Sequence, residues 1–229
     1  MFEVSNLKFK NILDIPFLGI NNSITCIVGS SGSGKTTLLR MLNKLNVPDN
    51  GTILYNSNDI SKMDTLKLRR QVIMLGQTPV IYSGSVEDNL QIGLYFSKRL
   101  PASISAMKES LARVELNKSL NDGCGNLSGG EKQRLCLARV MLMDAETYLL
   151  DEPSAALDKE TEQFIIENLS RFVLENNKQL IMITHSEQIA EKFSDSIIRI
   201  ENGKVTESYD INNIEKYEIV TEESYGGIL

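Results

Sequence analysis

The chain has 229 residues, of which 41% are hydrophobic and 24% charged, and a formal net charge of -6. That length is enough for one sizeable hydrophobic core, or a core with one inserted subdomain, without disulfide support. Most of the negative charge lies after Thr206, where Glu207, Asp210, Glu215, Glu218, Glu222 and Glu223 face Lys216 alone; the near-neutral body excludes a general nucleic-acid surface, which needs clustered Lys and Arg to displace phosphate counterions.

The opening MFEVSNLKFKN has no hydrophobic leader core, and no apolar run approaches the roughly 20 residues of a membrane span. A membrane role would therefore require another chain. The first strong strand signal is SITCIV (23–28), within which Cys26 reads as a small buried hydrophobe of a reducing compartment. Together with Cys124, Cys136 and the lone histidine, His185, it suggests neither a disulfide frame nor a zinc site.

Directly after that strand comes GSSGSGKT, then a helix pattern over KTTLLRMLNKL (35–45). The run fits G-x-x-x-x-G-K-[ST], a strand-to-helix loop whose backbone N–H groups cradle phosphate oxygens beside the positive end of a helix dipole. Gly29, Ser30, Ser31, Gly32, Ser33, Gly34, Lys35, Thr36 and Thr37 form the expected phosphate site. Lys35 supplies a charge to the β- and γ-phosphates, and Thr36 offers a hydroxyl to Mg²⁺. The loop by itself suits a kinase, a GTPase or a transport ATPase equally.

Further strands are expected at GTILY (51–55), QVIML (71–75), TYLL (147–150), QLIMIT (179–184) and SIIRI (196–200). Helices are expected at ISAMKESLARVEL (104–116), EKQRLCLARVMLM (131–143) and KETEQFIIENLSRFVLEN (159–176). The alternation predicts an α/β fold of the P-loop NTPase type: a mostly parallel sheet flanked by helices. An antiparallel element is expected near its end, where Asn202-Gly203 signals a hairpin. We place the nucleotide-binding core at 1–80 and 140–205, a helical subdomain at 81–139 and an acidic tail at 206–229. The tail reads either as frayed or as an added strand.

In a parallel sheet the strand carboxyl ends converge on the ligand crevice. Asp151, ending TYLLD, is thus the candidate Mg²⁺ partner, and Glu152 the candidate to polarise the attacking water. Gln77 and His185 end two more strands, Gln77 facing Mg²⁺ or water and His185 the γ-phosphate. In LSGGEKQR (127–134), Ser128 and Glu131 form an S-x-x-E capping box, and Gly129 and Gly130 leave backbone N–H groups open at a second helix start.

LSGGEKQR resembles the signature motif of the ABC ATPase family, and its position between the phosphate loop and the carboxylate pair is similar to the family's order. The resemblance runs from about Val4 to about Gly203. It implies ATP as the nucleotide, Mg²⁺ as its cation, and two cassettes sandwiching two ATP molecules head to tail. Ser128, Gly129 and Gly130 would then contact the γ-phosphate in trans, SAALD (154–158) would line the dimer contact, and Gln77 and His185 would fill the glutamine-loop and switch-histidine roles. The family stacks an aromatic residue on adenine; Phe9 is the candidate here, the alternative being a core residue of the first strand. A second, identical ATPase chain and an integral membrane permease are the implied partners, with the chain peripheral on the cytoplasmic face of the membrane. The alternative is an ABC ATPase that drives no transport. QTPVIYSGSVEDNL (77–90) resembles the exporter-type segment after the glutamine loop, and the compact chain is similar to small bacterial subunits assigned to metal or iron export. No appended regulatory domain is expected.

Overall fold

In the computed structural model, which describes residues 1–211 and 217–218, the chain opens with β1 (Phe2–Phe9), β2 (Leu13–Ile20) and β3 (Ile24–Val28). Then come α1 (Lys35–Leu42), β4 (Asn50–Tyr55), β5 (Asn58–Asp59), α2 (Thr65–Gln71) and β6 (Val72–Leu75). Three successive helices, α3 (Val86–Phe96), α4 (Ile104–Arg113) and α5 (Gly129–Leu142), lie between β6 and β7 (Thr147–Asp151). The chain continues through α6 (Lys159–Glu175), β8 (Gln179–Ile183), α7 (Glu187–Phe193), β9 (Ser196–Glu201), β10 (Lys204–Asp210) and β11 (Tyr217–Glu218).

The larger sheet has the order β11-β10-β9-β3-β8-β7-β6. Its five strands from β9 to β6 are parallel, and β10 returns antiparallel through the Asn202-Gly203 turn, as the sequence predicts. All residues of β3, β7 and β8 are buried, as expected of strands covered on both faces. Alternation along each strand divides the core in two. Cys26, Val28, Leu150 and Met182 face Leu135 and Cys136 of α5 and Ile166 of α6, whereas Ile27, Leu149 and Ile181 face Leu38 and Leu39 of α1. Each such side chain contributes about 1.5–3 kcal/mol on full burial, so both layers anchor the strand ends. The three cysteines are free and buried, and burial pushes the Cys26 thiol up to about 12.

One feature differs from the sequence expectation. GTILY does not join the parallel sheet: β4 pairs with β1 and β5 in a second, antiparallel sheet of order β2-β1-β4-β5. Phe2, Val4, Ile15 and Ile53 of that sheet cover α1, so α1 is enclosed between two sheets. The strand after the hairpin runs on to Asp210, in keeping with the added-strand reading for the start of the tail, and there Asn22 donates a hydrogen bond to the Asp210 carboxylate. Residues 212–216 and 219–229 of the expected acidic tail lie outside the described residues.

Candidate functional site

The loop from Gly29 to Gly34 leaves β3 at the centre of the larger sheet, and its path requires glycine. Gly29 has φ 138° and Gly34 φ 105°. A Cβ on Gly29 would sit 2.1 Å from the Ile200 carbonyl oxygen, and one on Gly34 would sit 2.6 Å from Leu13 Cδ2. α1 therefore starts without a side-chain cap. The N–H groups of Lys35, Thr36 and Thr37 have no hydrogen-bond partner among the described residues, which is the arrangement that suits an anion. The buried Lys35 ammonium folds back to donate to the carbonyls of Gly29 (2.8 Å) and Ser30 (2.7 Å). Burial lowers its pKa, opposed by the carboxylates of Glu152, Glu201 and Asp151. The Ser33 hydroxyl is buried with no hydrogen-bond partner among the described residues.

Register explains what meets this loop. β6 pairs with β7 at Leu75↔Leu150, and β7 pairs with β8 at Asp151↔Ile183, so residues just beyond the three strand ends converge. Gln77 Nε2 donates to Glu152 Oε2 at 2.8 Å, and His185 Nε2 lies 2.7 Å from Glu152 Oε1. Glu152 takes φ 51°, a left-handed conformation that costs a non-glycine residue on the order of 1 kcal/mol and turns its carboxylate toward both neighbours. Asp151 is 2% exposed and accepts a hydrogen bond from Thr36 Oγ1 at 3.1 Å. Burial raises its pKa, with the Thr36 bond opposing.

The Thr36 hydroxyl, the Asp151 carboxylate and the Gln77 amide oxygen are all oxygen donors, a chemistry that fits a hard cation such as Mg²⁺. Among the described residues no cluster of three or more His, Cys, Asp and Glu side chains could hold a metal by itself. A cation here would need substrate phosphate oxygens and water to complete its shell, the usual arrangement for Mg²⁺.

The second helix start is that of α5. Ser128 caps α5 with a full capping box: its hydroxyl accepts from Glu131 N at 3.2 Å, and Glu131 Oε2 accepts from Ser128 N at 2.8 Å. A Cβ on Gly130 would lie 3.3 Å from Leu157 Cδ2 and 3.4 Å from Ala156 O, so the SAALD segment adjoins this helix start. Gln133 Nε2 fastens α5 to the Pro153 carbonyl at 3.0 Å. No hydrogen bond among the described residues joins Ser128, Gly129 or Gly130 to residues 29–37.

A buried polar clasp links α5 to the segment after Gln77. Arg139 donates to the carbonyls of Asn89 (2.6 Å) and Val80 (2.9 Å) and to Asn89 Oδ1 (2.8 Å), while Asn89 bonds both backbone groups of Tyr82. Phe9 is half-buried against the core, opposite Leu13 in the β1–β2 register. It is thus near the Leu13 side chain that bounds Gly34, and Lys10 Nζ lies 5.1 Å from its ring centroid.

Sequence reasoning missed Glu201. At the end of β9, its carboxylate accepts from Ser30 N (3.2 Å) and Ser30 Oγ (2.6 Å), and these bonds lower its pKa. The strand-end rule that found Gln77 and His185 applies equally to SIIRIE. The Asn202-Gly203 turn has a similar second role, since Gly203 N donates to the Ser33 carbonyl at 3.0 Å.

A protein family described as ABC transporter matches residues 19–155. Protein STAR1 of rice (Oryza sativa subsp. japonica) is 36% identical over 85% of this chain, which spans 55% of that protein. The phosphate import ATP-binding protein PstB of Borrelia garinii subsp. bavariensis is 33% identical over 90% of this chain and 86% of its own length. Among solved structures, a dimeric post-hydrolysis state of an ATP-binding cassette bound to ADP and Pi superposes with a TM-score of 0.82 at 25% identity, covering 93% of this chain and all of that one.

Proposed function

Since the chain belongs to the ABC transporter family of ATP-binding, ATP-hydrolysing cassettes, we propose that two copies of it sandwich two ATP molecules and drive transport through a separate membrane subunit. The observation that carries this reading is the pair of glycine-bearing helix starts on one chain, at Lys35 and at Ser128, with no hydrogen bond between them among the described residues. In this reading each holds one side of a phosphate, and the other side comes from a second copy.

In this reading the loop 29–37 binds the triphosphate, and the Lys35 ammonium transfers its bonds from the Gly29 and Ser30 carbonyls to the β- and γ-phosphates. Phe9 stacks on adenine. Thr36, Gln77 and Asp151 would hold Mg²⁺, which would supply charge neutralisation at the phosphate oxygens. Glu152 accepts a hydrogen bond from the attacking water and takes its proton as the water adds in line to the γ-phosphorus; the bond to the β-phosphate oxygen breaks, giving ADP and phosphate. His185 steadies the γ-phosphate and, with Gln77, fixes the Glu152 carboxylate. Ser128, Gly129 and Gly130 of the second copy donate to the same phosphate, adding preorganised charge stabilisation.

The membrane subunit docks beside the helices between β6 and β7. Val80, Tyr82, Tyr95 and Phe96 are exposed there, next to a groove of about 450 Å³ that Arg40, Arg69 and Arg139 help line. Among the described residues no helix is long and apolar enough to cross a membrane; in this reading the translocation path belongs to the partner. The Arg139–Asn89 clasp couples this surface to α5 and to the Gln77 segment, so nucleotide-driven movement of either reaches the partner.

The tagged chain, expressed in its native host and purified from mildly solubilised membranes, is expected to bring down a stoichiometric polytopic membrane protein, identified by mass spectrometry. An ATPase recovered without any membrane partner would replace the transport reading with that of a non-transport ABC ATPase.

A further inference from the structure

We propose that Lys118 is a positioning residue of the second helix start: by neutralising Glu131 it allows Ser128, Gly129 and Gly130 to receive the γ-phosphate held by a second copy. The inference rests on the sandwich reading above.

The capping box creates an electrostatic conflict. Glu131 is needed because its Oε2 accepts the otherwise orphaned Ser128 N–H. That bond also fixes a carboxylate one hydrogen bond away from N–H groups that would receive a highly charged phosphate, and like charges at such range repel strongly where water is thinned. Lys118 resolves the conflict. Its Nζ lies 2.8 Å from Glu131 Oε1, on the side away from the bond to Ser128, and the two side chains are only 31% and 22% exposed.

The main chain that carries the lysine is fixed beside Glu131. Lys118 follows the buried Leu116, whose carbonyl accepts from Lys118 N at 2.9 Å. Among the other charges near it, the Asp122 carboxylate is occupied by Ser119 N at 2.8 Å, and Arg134 adds a like charge from the next turn of α5. Bonds from Lys118 and Ser128 hold the Glu131 carboxyl down to about 2, so protonation cannot relieve the repulsion near neutral pH and the countercharge must come from a neighbour.

The test uses the full chain with Mg-ATP as the probe. Lys118→Met keeps the length of the stem and removes the charge; it is expected to raise the half-saturating ATP concentration for turnover about three- to tenfold at low salt, with a smaller change in kcat. The gap should narrow at high salt, and Lys118→Arg should restore the wild-type value. Glu131→Gln retains an acceptor for Ser128 N–H without the charge, so adding Lys118→Met to it should change the ATP requirement less than about twofold. An unmoved ATP requirement in Lys118→Met, or the same loss in the Glu131→Gln background, overturns the role. The sandwich reading is checked by sedimentation of Glu152→Gln with ATP: no dimer overturns that reading and the role of Lys118 with it. A dimer whose ATP requirement is unmoved by Lys118→Met overturns Lys118 alone.

Discussion

Glu152→Gln is expected to cut steady-state ATP turnover by about 10²–10⁴-fold, the range typical of losing a general base, while ATP still binds. Glu152 is the point where the ends of three strands meet, bonded to Gln77 at 2.8 Å and to His185 at 2.7 Å. The amide is nearly isosteric and can keep one hydrogen bond to each neighbour, so the cluster should survive the exchange. It cannot take the proton of the attacking water. Because the phosphate loop, Lys35 and Asp151 are untouched, the variant should accumulate with ATP rather than ADP bound, read by chromatography of the nucleotide released on denaturation. Turnover near the wild-type rate would remove Glu152 from the catalytic role and leave its left-handed backbone without a functional explanation.

Lys35→Ala is expected to act at the earlier step. The ammonium is buried in the loop and, among the described residues, hydrogen-bonds only to the Gly29 and Ser30 carbonyls, bonds it can exchange for phosphate oxygens with little movement. Losing a charge-assisted hydrogen bond costs about 1.5–3 kcal/mol, which corresponds to ATP binding weaker by about 10- to 150-fold; turnover should fall by at least as much. The truncation also leaves Asp151, Glu152 and Glu201 without the cation among them, so three carboxylates then repel an incoming triphosphate. A nucleotide titration by calorimetry separates the outcomes: wild-type affinity would contradict the assignment of the loop.

The strands of the larger sheet were legible because burial on both faces selects unbroken apolar runs, as in ITCIV, TYLLD and QLIMI. The positions of Gln77, Asp151, Glu152 and His185 followed from those runs, since parallel strands present their carboxyl ends to one crevice. The first sheet was less legible. β1 buries Phe2 and Val4 and then Leu7, a spacing of three, because the pairing with β4 shifts register between Ser5 and Lys8 and Asn6 adopts φ 51°. That irregularity hides the two-residue period on which a strand assignment rests. GTILY was recognisable as a strand, but its partner is set by a contact with residues 2–8 that no local pattern encodes. Glu201 was within reach of the same strand-end rule, but its partner, Ser30 across 171 positions, and that of Lys118, a capping carboxylate beyond an irregular loop, are supplied only by the fold.

The most direct measurement of the shared site mixes two inactive variants of the chain, Lys35→Ala and Ser128→Arg. Each alone is expected to hydrolyse ATP at background rates, the first for want of the phosphate-binding cation and the second because a bulky charged side chain blocks the helix start. A mixed pair would bring the intact phosphate loop of one copy against the intact Ser128–Gly130 of the other, so activity should reappear on mixing in proportion to the fraction of mixed pairs. A mixture that stays at the sum of its two parts would place Lys35 and Ser128 in the same site of one chain, or in no common site, and would contradict the proposed sandwich.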